Sequence, residues 1–133
     1  MTLPRATYRL QLREGMTFAK ARERLGPIQD LGISHLYLSP IFTATTGSTH
    51  GYDVTDPTSI DPALGGREGF EALSRAAQDM GLGVIIDIVP NHTAFNLQNP
   101  WLLDVLRHGE RSRWARHFDI DWGAGRLVLP FLP

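Results

Sequence analysis

Two short stretches of this sequence contain side chains that suit the binding of a polar ligand. They are GSTHGYDV at positions 47–54 and DIVPNH at positions 87–92. Glycine and small hydroxyl residues favour turns, but a turn does not require an imidazole or a phenol. An aromatic ring among neutral donors and carboxylates suits a sugar, which has an apolar face and a rim of hydroxyls. The candidate site residues are His50, Tyr52, Asp53, Asp87, Asn91 and His92.

Asp87 has two interpretations. It lies inside the apolar run VIIDIV, on the same face of a predicted strand as Ile85 and Val89. A carboxylate in such a place is costly unless it is paired and hydrogen-bonded. It is therefore either half of a buried structural salt bridge or a site carboxylate at the end of the strand. Both interpretations need a cation, and the sequence indicates no arginine near the end of another strand.

Other candidates have plainer roles that the sequence leaves open. Tyr52 could pack on its own loop, Asp53 could serve only in a turn, and His92 could be an exposed or capping histidine. His35, inside a predicted strand, is interpreted as a satisfied core histidine.

A metal site is the main chemical alternative. Its donors would be His50, Asp53, Asp87 and His92. Their spacing matches no recognised ligand motif such as H-E-x-x-H, and the glycine patterns of phosphate-binding loops are absent. We therefore expect neither a metal nor another cofactor.

The hydrophobic pattern predicts the order β-α-β-α-β up to residue 89. Two similar segments support this order, QDLG at 29–32 and QDMG at 78–81. Each ends a predicted helix with glycine and precedes an apolar strand. This order indicates a parallel sheet with helical crossovers, whose strands are covered on both faces. The predicted elements are a strand at 7–12, a helical stretch at 17–31 interrupted at Gly26 and Pro27, a strand at 33–39, a helix at 67–80 and a strand at 84–89.

The stretch after the second predicted strand, residues 40–66, is about 27 residues long. Loops beyond roughly 12–15 residues are uncommon and are usually functional or disordered. This one follows the carboxyl end of a parallel strand, where active sites form in α/β proteins. The loop after the third strand leaves from the same edge of the sheet, so we expect residues 47–54 and 90–92 to meet there.

The pattern changes after residue 91. Asn99 and Pro100 indicate a helix start and Gly109 a stop, which predicts a helix over 101–108. We further expect a short helical stretch at 112–118, a strand or turn at 118–122 and a strand at 127–129.

The composition disfavours several classes of function. The formal net charge is -1, and the densest basic stretch, residues 107–116, is typical of a solvated helix face, so we expect no nucleic-acid partner. A chain with no cysteine has no disulfide and no thiolate metal site. The sequence shows neither a secretory leader nor an apolar run long enough for a membrane helix. We expect no membrane partner and a cytoplasmic location.

Several motifs together resemble the alpha-amylase family of glycoside hydrolases and transglycosylases. DIVPNH resembles the first conserved region of that family, and HGYD at 50–53 resembles the loop after its second barrel strand. The full set resembles one branch of the family, whose members convert the reducing-end α-1,4 bond of a maltooligosaccharide to an α-1,1 bond and so give maltooligosyl trehalose. In chain order the set is TYRLQL, LGISHLYLSPIF, GSTHGYDVTDP, LGG, NPW and FDIDW, and it spans essentially the whole sequence.

The resemblance implies a fold and a set of residue roles. Residues 1–92 would be the N-terminal part, about three βα units, of a (β/α)8 TIM barrel, and residues 93–133 the start of an inserted small domain. The substrate would be a maltooligosaccharide, an α-1,4-glucan. Tyr52 would stack on the sugar, with His50, Asp53 and His92 as further binding residues. Asp87 would pair with an arginine, and Asn91 would brace the loop without a metal.

The same resemblance implies that the reacting groups are elsewhere. The family mechanism is retaining, with an aspartate nucleophile and a glutamate acid/base. A barrel of this kind takes about 250 residues, so we expect these carboxylates, and the arginine partner of Asp87, beyond Pro133. The 133-residue chain alone is then predicted to be inactive.

Two departures and two alternatives remain. Thr93 and Ala63 stand where that branch usually has methionine and glutamate. One alternative function is a non-catalytic, truncated module that binds α-glucan. The other is a different glucanotransferase or hydrolase of the same family.

Overall fold

The computed structural model describes residues 3–128. Contacts divide the chain into two compact units, Met1–Ala94 and Phe95–Pro133. The described part of the first unit contains β1 (Thr7–Leu10), α1 (Phe18–Glu23), α2 (Leu25–Gln29), β2 (His35–Leu38), β3 (Phe42–Ala44), β4 (Val54–Ile60), α3 (Gly66–Asp79) and β5 (Gly83–Ile86). The described part of the second unit contains α4 (Pro100–His108).

Three strands form a parallel sheet in the order β1-β2-β5. Thr7, His35 and Gly83 share one register row, and Leu10, Leu38 and Ile86 share another. The predicted β-α-β-α-β order and the parallel sheet are confirmed. Each strand is shorter than predicted, and the third ends at Ile86, so Asp87 follows the strand instead of lying within it.

One face of this sheet packs against the helices. The strand residues on this face are Leu10 at the end of β1 and, in β2, Leu36 and Leu38, which are two positions apart and so face the same side. The helices present apolar residues at three- and four-residue spacing. The shared core contains Leu10, Leu36 and Leu38 from the sheet and Phe18, Ala21, Leu25, Ile28, Leu73 and Ala77 from the helices.

The opposite face of the sheet is more polar. Arg9 lies over the ring of Tyr37, with its guanidinium carbon 5.6 Å from the ring centroid. His35 is buried, as expected, and Gly83 leaves room for it, because a Cβ at Gly83 would lie 2.2 Å from His35 Cδ2. The prediction that the strands are covered on both faces was wrong for β1 and β5, which are exposed or half-buried along most of their length. They are the outer strands of the described sheet, and each pairs only with β2.

The helical predictions are largely confirmed. The stretch 17–31 forms two short helices, and Thr17 caps the first by accepting a hydrogen bond from the Lys20 N–H. The predicted interruption at Gly26 and Pro27 was wrong: the break is at Arg24, and Pro27 lies near the start of α2, where its missing N–H costs no helical hydrogen bond. The ring of Phe18 meets that of Phe70 edge to face at 5.7 Å and so joins α1 to α3.

The predicted irregular loop at 40–66 was wrong in one respect. It contains the antiparallel hairpin of β3 and β4, in which Phe42 pairs with Ile60 and Ala44 with Val54. The pairing is interrupted by register shifts, which explains why the sequence lacks a clean strand alternation. The remaining loop of the hairpin, residues 45–53, contains the HGYD motif.

A buried ion pair fixes this hairpin to the loop after β1. Arg13 Nη1 donates to Asp61 Oδ2 at 2.8 Å, and Nη2 donates to the Phe42 carbonyl at 3.2 Å. The two paired side chains are only 5% and 7% exposed. The same carboxylate accepts from the backbone N–H groups of Ala44 and Ala63 at 3.3 and 2.9 Å. One carboxylate therefore joins the β1 loop, the hairpin and the turn that leads to α3.

The backbone at Arg13 depends on such contacts. Arg13 has a φ of 87° and Glu14 a φ of 49°, in the left-handed region that disfavours residues with a Cβ. Two backbone hydrogen bonds between Arg13 and Met16 close the turn. Strained backbone of this kind persists where the surrounding contacts hold it, and the ion pair with Asp61 is such a contact.

The second unit is built around α4. Asn99 caps the helix by accepting from the N–H groups of Trp101 and Leu102, and Pro100 occupies the first turn, as predicted. Trp101 stacks on Trp114 at 4.4 Å between ring centroids. Of the predicted 112–118 helix only a 3₁₀ turn at Ala115–His117 forms, and the 118–122 strand or turn is irregular up to a 3₁₀ turn that begins at Trp122. Residues 127 and 128 form no strand, and residue 129 lies outside the described range.

No helix within residues 3–128 is both long enough and apolar enough to cross a lipid bilayer.

We predict that Arg13→Met lowers the free energy of unfolding by about 3–5 kcal/mol, because it leaves Asp61 as a buried charge without its partner. The measurement is urea unfolding followed by circular dichroism. The matched control is Lys20→Met, which breaks an ion pair with Glu23 whose side chains are more than half exposed. We expect the control to change the free energy by no more than about 0.5 kcal/mol. Equal small losses in both variants would contradict the role given to the buried pair.

Candidate functional site

The loop that contains HGYD is braced from within. The Gly51 N–H donates to Ser48 Oγ at 3.0 Å, and the Ser48 hydroxyl donates to the Asp53 carboxylate. The Thr45 N–H donates to the Asp53 carbonyl at 3.0 Å. Asp53 is thus engaged in holding the turn, which is the plainer of the roles the sequence left open.

Gly51 is required at its position for two reasons. Its φ is +81°, which glycine adopts without strain. A Cβ there would lie 2.7 Å from Arg13 Nε and 3.0 Å from the Pro40 carbonyl oxygen. The loop therefore lies directly on the buried arginine, and the position of His50 and Tyr52 depends on that contact.

His50 and Tyr52 form a local pair. The Tyr52 N–H donates to His50 Nδ1 at 3.0 Å, and the two rings stack with centroids 5.9 Å apart. A neutral imidazole that accepts at Nδ1 has its hydrogen on Nε2. Asp53 Oδ1 lies 3.7 Å from the same Nδ1. With this hydrogen bond in place, the half-exposed His50 ring presents an N–H donor at Nε2.

The HGYD loop meets the DIVPNH stretch at Asp87, whereas the expected meeting of residues 47–54 with residues 90–92 stays a prediction. Tyr52 donates its hydroxyl hydrogen to Asp87 Oδ2, with the oxygens 2.5 Å apart. The contact joins the loop after β2 to the residue that follows β5, across 35 positions of sequence. The Asp87 side chain is 17% exposed, so its carboxylate is partly desolvated and benefits from this donor.

The expectation that no arginine of this chain reaches Asp87 was wrong. Arg9 Nη2 lies 3.9 Å from Asp87 Oδ2 and donates to the Tyr52 hydroxyl oxygen at 3.0 Å. β1 is two strands from β5, a separation of roughly 10 Å at ordinary strand spacing. The long Arg9 side chain and the intervening phenol together bridge that separation.

The chemistry of Arg9 and Asp87 decides which of the two hydrogen bonds the Tyr52 hydroxyl donates and which it accepts. A guanidinium can only donate, and an ionised carboxylate can only accept. The hydroxyl must therefore accept from Arg9 and donate to Asp87. The hydrogen bond to Asp87 and the partial burial raise the pKa of Tyr52 above its ordinary value, and the hydrogen bond from Arg9 opposes them. The phenol is neutral at physiological pH, with both its donor and an acceptor position in use.

Gln11 holds the other side of the arginine. Arg9 Nη1 donates to Gln11 Oε1 at 2.8 Å, so the Gln11 amide nitrogen must point the other way. That nitrogen donates to the carbonyls of Leu12 at 3.2 Å, Thr49 at 3.3 Å and His50 at 3.5 Å, the last at the limit of a hydrogen bond. Two polar residues of the β1 segment therefore contact the HGYD loop at both its backbone and its tyrosine.

Asn91 and His92 lie four and five residues after Asp87 and are exposed. His92 Nδ1 lies 3.1 Å from Asn91 Oδ1. Because that amide oxygen only accepts, Nδ1 has the hydrogen and His92 Nε2 is left as an acceptor. In the part of the chain that the structure describes, no hydrogen bond joins either residue to the HGYD loop.

The described residues contain no group of three or more histidine, aspartate or glutamate side chains that could hold a metal ion. The four donors of the metal alternative are engaged in different contacts instead, with Asp87 bound to Tyr52 and His92 to Asn91.

Sequence reasoning missed Arg9 and Gln11, although a signal was present. In TYRLQL the polar residues at 9 and 11 alternate with Leu10 and Leu12. Residues two apart point to the same side of a strand. The alternation predicts the strand. The same pattern also places Arg9 and Gln11 on the face of β1 opposite Leu10 and Leu12, near the carboxyl end of the strand.

The sequence of this chain matches that of a known protein family. The model of the alpha amylase catalytic domain matches residues 20–119, about three quarters of the chain. The chain belongs to the alpha-amylase family.

Relatives within the family agree with the predicted branch. A protein of Mycobacterium tuberculosis named putative maltooligosyl trehalose synthase is 54% identical over 96% of this chain and 18% of its own length. The maltooligosyltrehalose synthase structure from Arthrobacter ramosus is 49% identical, covers 95% of this chain and 17% of its own, and superposes with a TM-score of 0.87. The alpha-amylase 2 of Dictyoglomus thermophilum is 44% identical over 63% of this chain and 14% of its own length.

These matches confirm the predicted resemblance and the fold class. β1, β2 and β5 are strands from the N-terminal part of a (β/α)8 barrel. The chain spans less than a fifth of the length of the relatives named above.

Proposed function

We propose that this chain is the N-terminal part of an intramolecular transglycosylase, a (1→4)-α-D-glucan 1-α-D-glucosylmutase, which converts the reducing-end α-1,4 bond of a maltooligosaccharide to an α-1,1 bond. The proposal is supported by the high identity to proteins named as synthases of maltooligosyl trehalose. The product would be maltooligosyl trehalose, and the role would be in trehalose biosynthesis. We place the protein in the cytoplasm, in keeping with its lack of cysteine.

The observation that best supports a sugar site is the state of Tyr52. Its hydroxyl is committed to Arg9 and Asp87, so the phenol cannot serve as a hydrogen donor to a ligand. What remains for a ligand is the ring, which is fixed in place by these two bonds. An oriented aromatic ring with a half-exposed imidazole beside it suits the apolar face and hydroxyl rim of a glucose unit.

The neighbouring groups would complete recognition. His50 Nε2 would donate to one sugar hydroxyl, and His92 Nε2 would accept from another. Asp53 would act on the sugar indirectly, because its carboxylate already holds the loop through Ser48. Asp87 and Asn91 support the site, Asp87 through Tyr52 and Asn91 through His92.

The bond-changing chemistry would come from outside residues 1–133. In a retaining mechanism an aspartate attacks the anomeric carbon while a glutamate protonates the leaving oxygen. The released glucose would then attack the maltooligosyl-enzyme through its own anomeric hydroxyl, whose proton returns to the glutamate. The bond to the aspartate breaks as the α-1,1 bond forms, and no water is consumed. Residues 93–133 would begin a domain inserted into the barrel after its third strand.

A second candidate is another glucanotransferase or hydrolase of the family. It is favoured by the similarity to an alpha-amylase over 84 residues of this chain. A purely glucan-binding role for the chain alone is the third outcome that experiment must separate.

We predict that Tyr52→Ala weakens the binding of maltohexaose to this chain at least tenfold, since loss of an aromatic surface of this size costs about 1.5–3 kcal/mol. The measurement is isothermal titration calorimetry. The control is Tyr8→Ala, which removes a more exposed ring from β1 outside the site. Equal affinities in the two variants would place any sugar elsewhere.

We also predict distinct products for the full-length protein and for this chain. Full-length protein incubated with maltohexaose should lose reducing ends without releasing shorter chains, whereas the 133-residue chain should leave them unchanged. For each of the two proteins, mass spectrometry measures the lengths of the chains and a reducing-end assay counts their reducing ends. A ladder of longer and shorter reducing chains would identify a glucanotransferase, and shorter chains alone a hydrolase. Loss of reducing ends with the 133-residue chain would contradict its predicted inactivity.

A further inference from the structure

We propose that Arg9 is the positioning residue of this site, which orients the Tyr52 ring and balances the Asp87 charge from within this chain. The inference rests on the proposed function only in its consequence for sugar binding. Its principal test requires no ligand, so the two can fail separately.

Arg9 connects several elements of the sheet. Its side chain leaves β1, lies over Tyr37 of β2 and reaches the Tyr52 hydroxyl, which in turn contacts Asp87 after β5. One side chain thus contacts groups that belong to all three parallel strands or the loops that follow them. A guanidinium is suited to this task because its planar fork has donors for several partners at once.

Two hydrogen bonds fix the phenol of Tyr52. A tyrosine ring held by one hydrogen bond can still turn about that bond, whereas two bonds in opposite directions define its position. Tyr52 donates to Asp87 and accepts from Arg9 at 3.0 Å, and the donor and acceptor roles cannot be exchanged. Removing the guanidinium leaves the ring with a single tether at its hydroxyl.

Arg9 also contacts Gln11, which reaches the backbone of the HGYD loop. Arg9 occupies Gln11 Oε1, and this sets the amide nitrogen toward the Thr49 and His50 carbonyls. The carbonyls favour the same orientation of the amide, so removal of the guanidinium leaves that orientation unchanged but takes from Gln11 Oε1 the donor that anchors the side chain on its other side. Arg9 therefore acts on the backbone of the loop as well as on its tyrosine.

Arg9 also provides positive charge beside Asp87. The groups that face the Tyr52 hydroxyl are Arg9 from β1 and Asp87 after β5, with His50 stacked on the ring and Asp53 beyond His50 in the same loop. Arg9 is the cation in this set, and it lies 3.9 Å from the carboxylate. A partly desolvated carboxylate needs such a partner.

The test is the titration of Tyr52 by NMR, with ¹³C at the phenolic carbon of tyrosine. The chain has three tyrosines, so Tyr52→Phe assigns the Tyr52 resonance by its loss. Because Arg9 lowers the pKa of Tyr52 and Asp87 raises it, we expect Arg9→Met to move the titration to higher pH and Asp87→Asn to move it to lower pH. Arg9→Lys, which keeps the charge, should restore part of the shift that Arg9→Met causes.

The effect of Arg9→Met on the Tyr52 titration is also measured in the Asp87→Asn background. Tyr52 should titrate at lower pH there, so its titration can be followed at pH values at which the chain is still folded. Arg22→Met, on the exposed face of α1, is the matched control and should leave the Tyr52 titration unchanged. If Arg9→Met does not fold by circular dichroism, Arg9→Gln replaces it. A Tyr52 titration that is the same with and without Arg9 in a folded chain would overturn the proposal.

Sugar binding provides the second readout. We expect Arg9→Met to weaken maltohexaose binding roughly threefold to tenfold, less than the complete loss of the ring, because the ring is still present but less well oriented. If the chain binds no glucan but the titration shifts as described, the positioning role stands and the sugar-binding role proposed for Tyr52 in this chain fails. Unchanged affinity in Arg9→Met together with an unchanged titration would reject both the orienting and the electrostatic role of Arg9.

Discussion

The contact on which the site most depends is the buried ion pair between Arg13 and Asp61. It closes a strained turn after β1, ties down the start of the hairpin and caps the turn that leads to α3. Gly51 then lies directly against the arginine, so the HGYD loop rests on a charged group that is itself held at several points. Desolvated charges of this kind are expensive unless fully paired, and the many partners of Asp61 explain how one is tolerated here.

The two faces of the β1 segment have different roles: one packs in the core and the other contacts the site. The side chains of Leu10 and Leu12 enter the apolar core beneath the helices, while Arg9 and Gln11 extend toward the carboxyl edge of the sheet. The same alternation therefore provides both the stability of β1 and its contacts to the loop. Through Tyr52 these contacts continue to Asp87, so the three parallel strands are connected by side chains where their loops converge. The proposed sugar site rests on the rigid aromatic ring at that point.

The sequence was sufficient for the elements with strong periodicity. The helices and the parallel strands were predicted because apolar residues recur at helical or strand spacing over enough positions to be read. The β3–β4 hairpin was missed because Asp56 and Pro57 interrupt the apolar pattern of β4, and Asp56 instead accepts hydrogen bonds from Thr58 and Ser59. Burial alone raises the pKa of Asp56, but those hydrogen bonds outweigh it and hold the pKa below its ordinary value. The partner of Asp87 was missed for a different reason. Strand order alone does not show that a long side chain and a phenol can together span two strands.

The most direct measurement is a crystal structure of the full-length protein with a bound maltooligosaccharide. The account predicts a glucose ring stacked on Tyr52, with its hydroxyls within hydrogen-bond distance of His50 and His92, and with the Tyr52 hydroxyl still between Arg9 and Asp87. A glucan bound away from this loop, with the Tyr52 ring packed against protein or left without contact to the sugar, would contradict it.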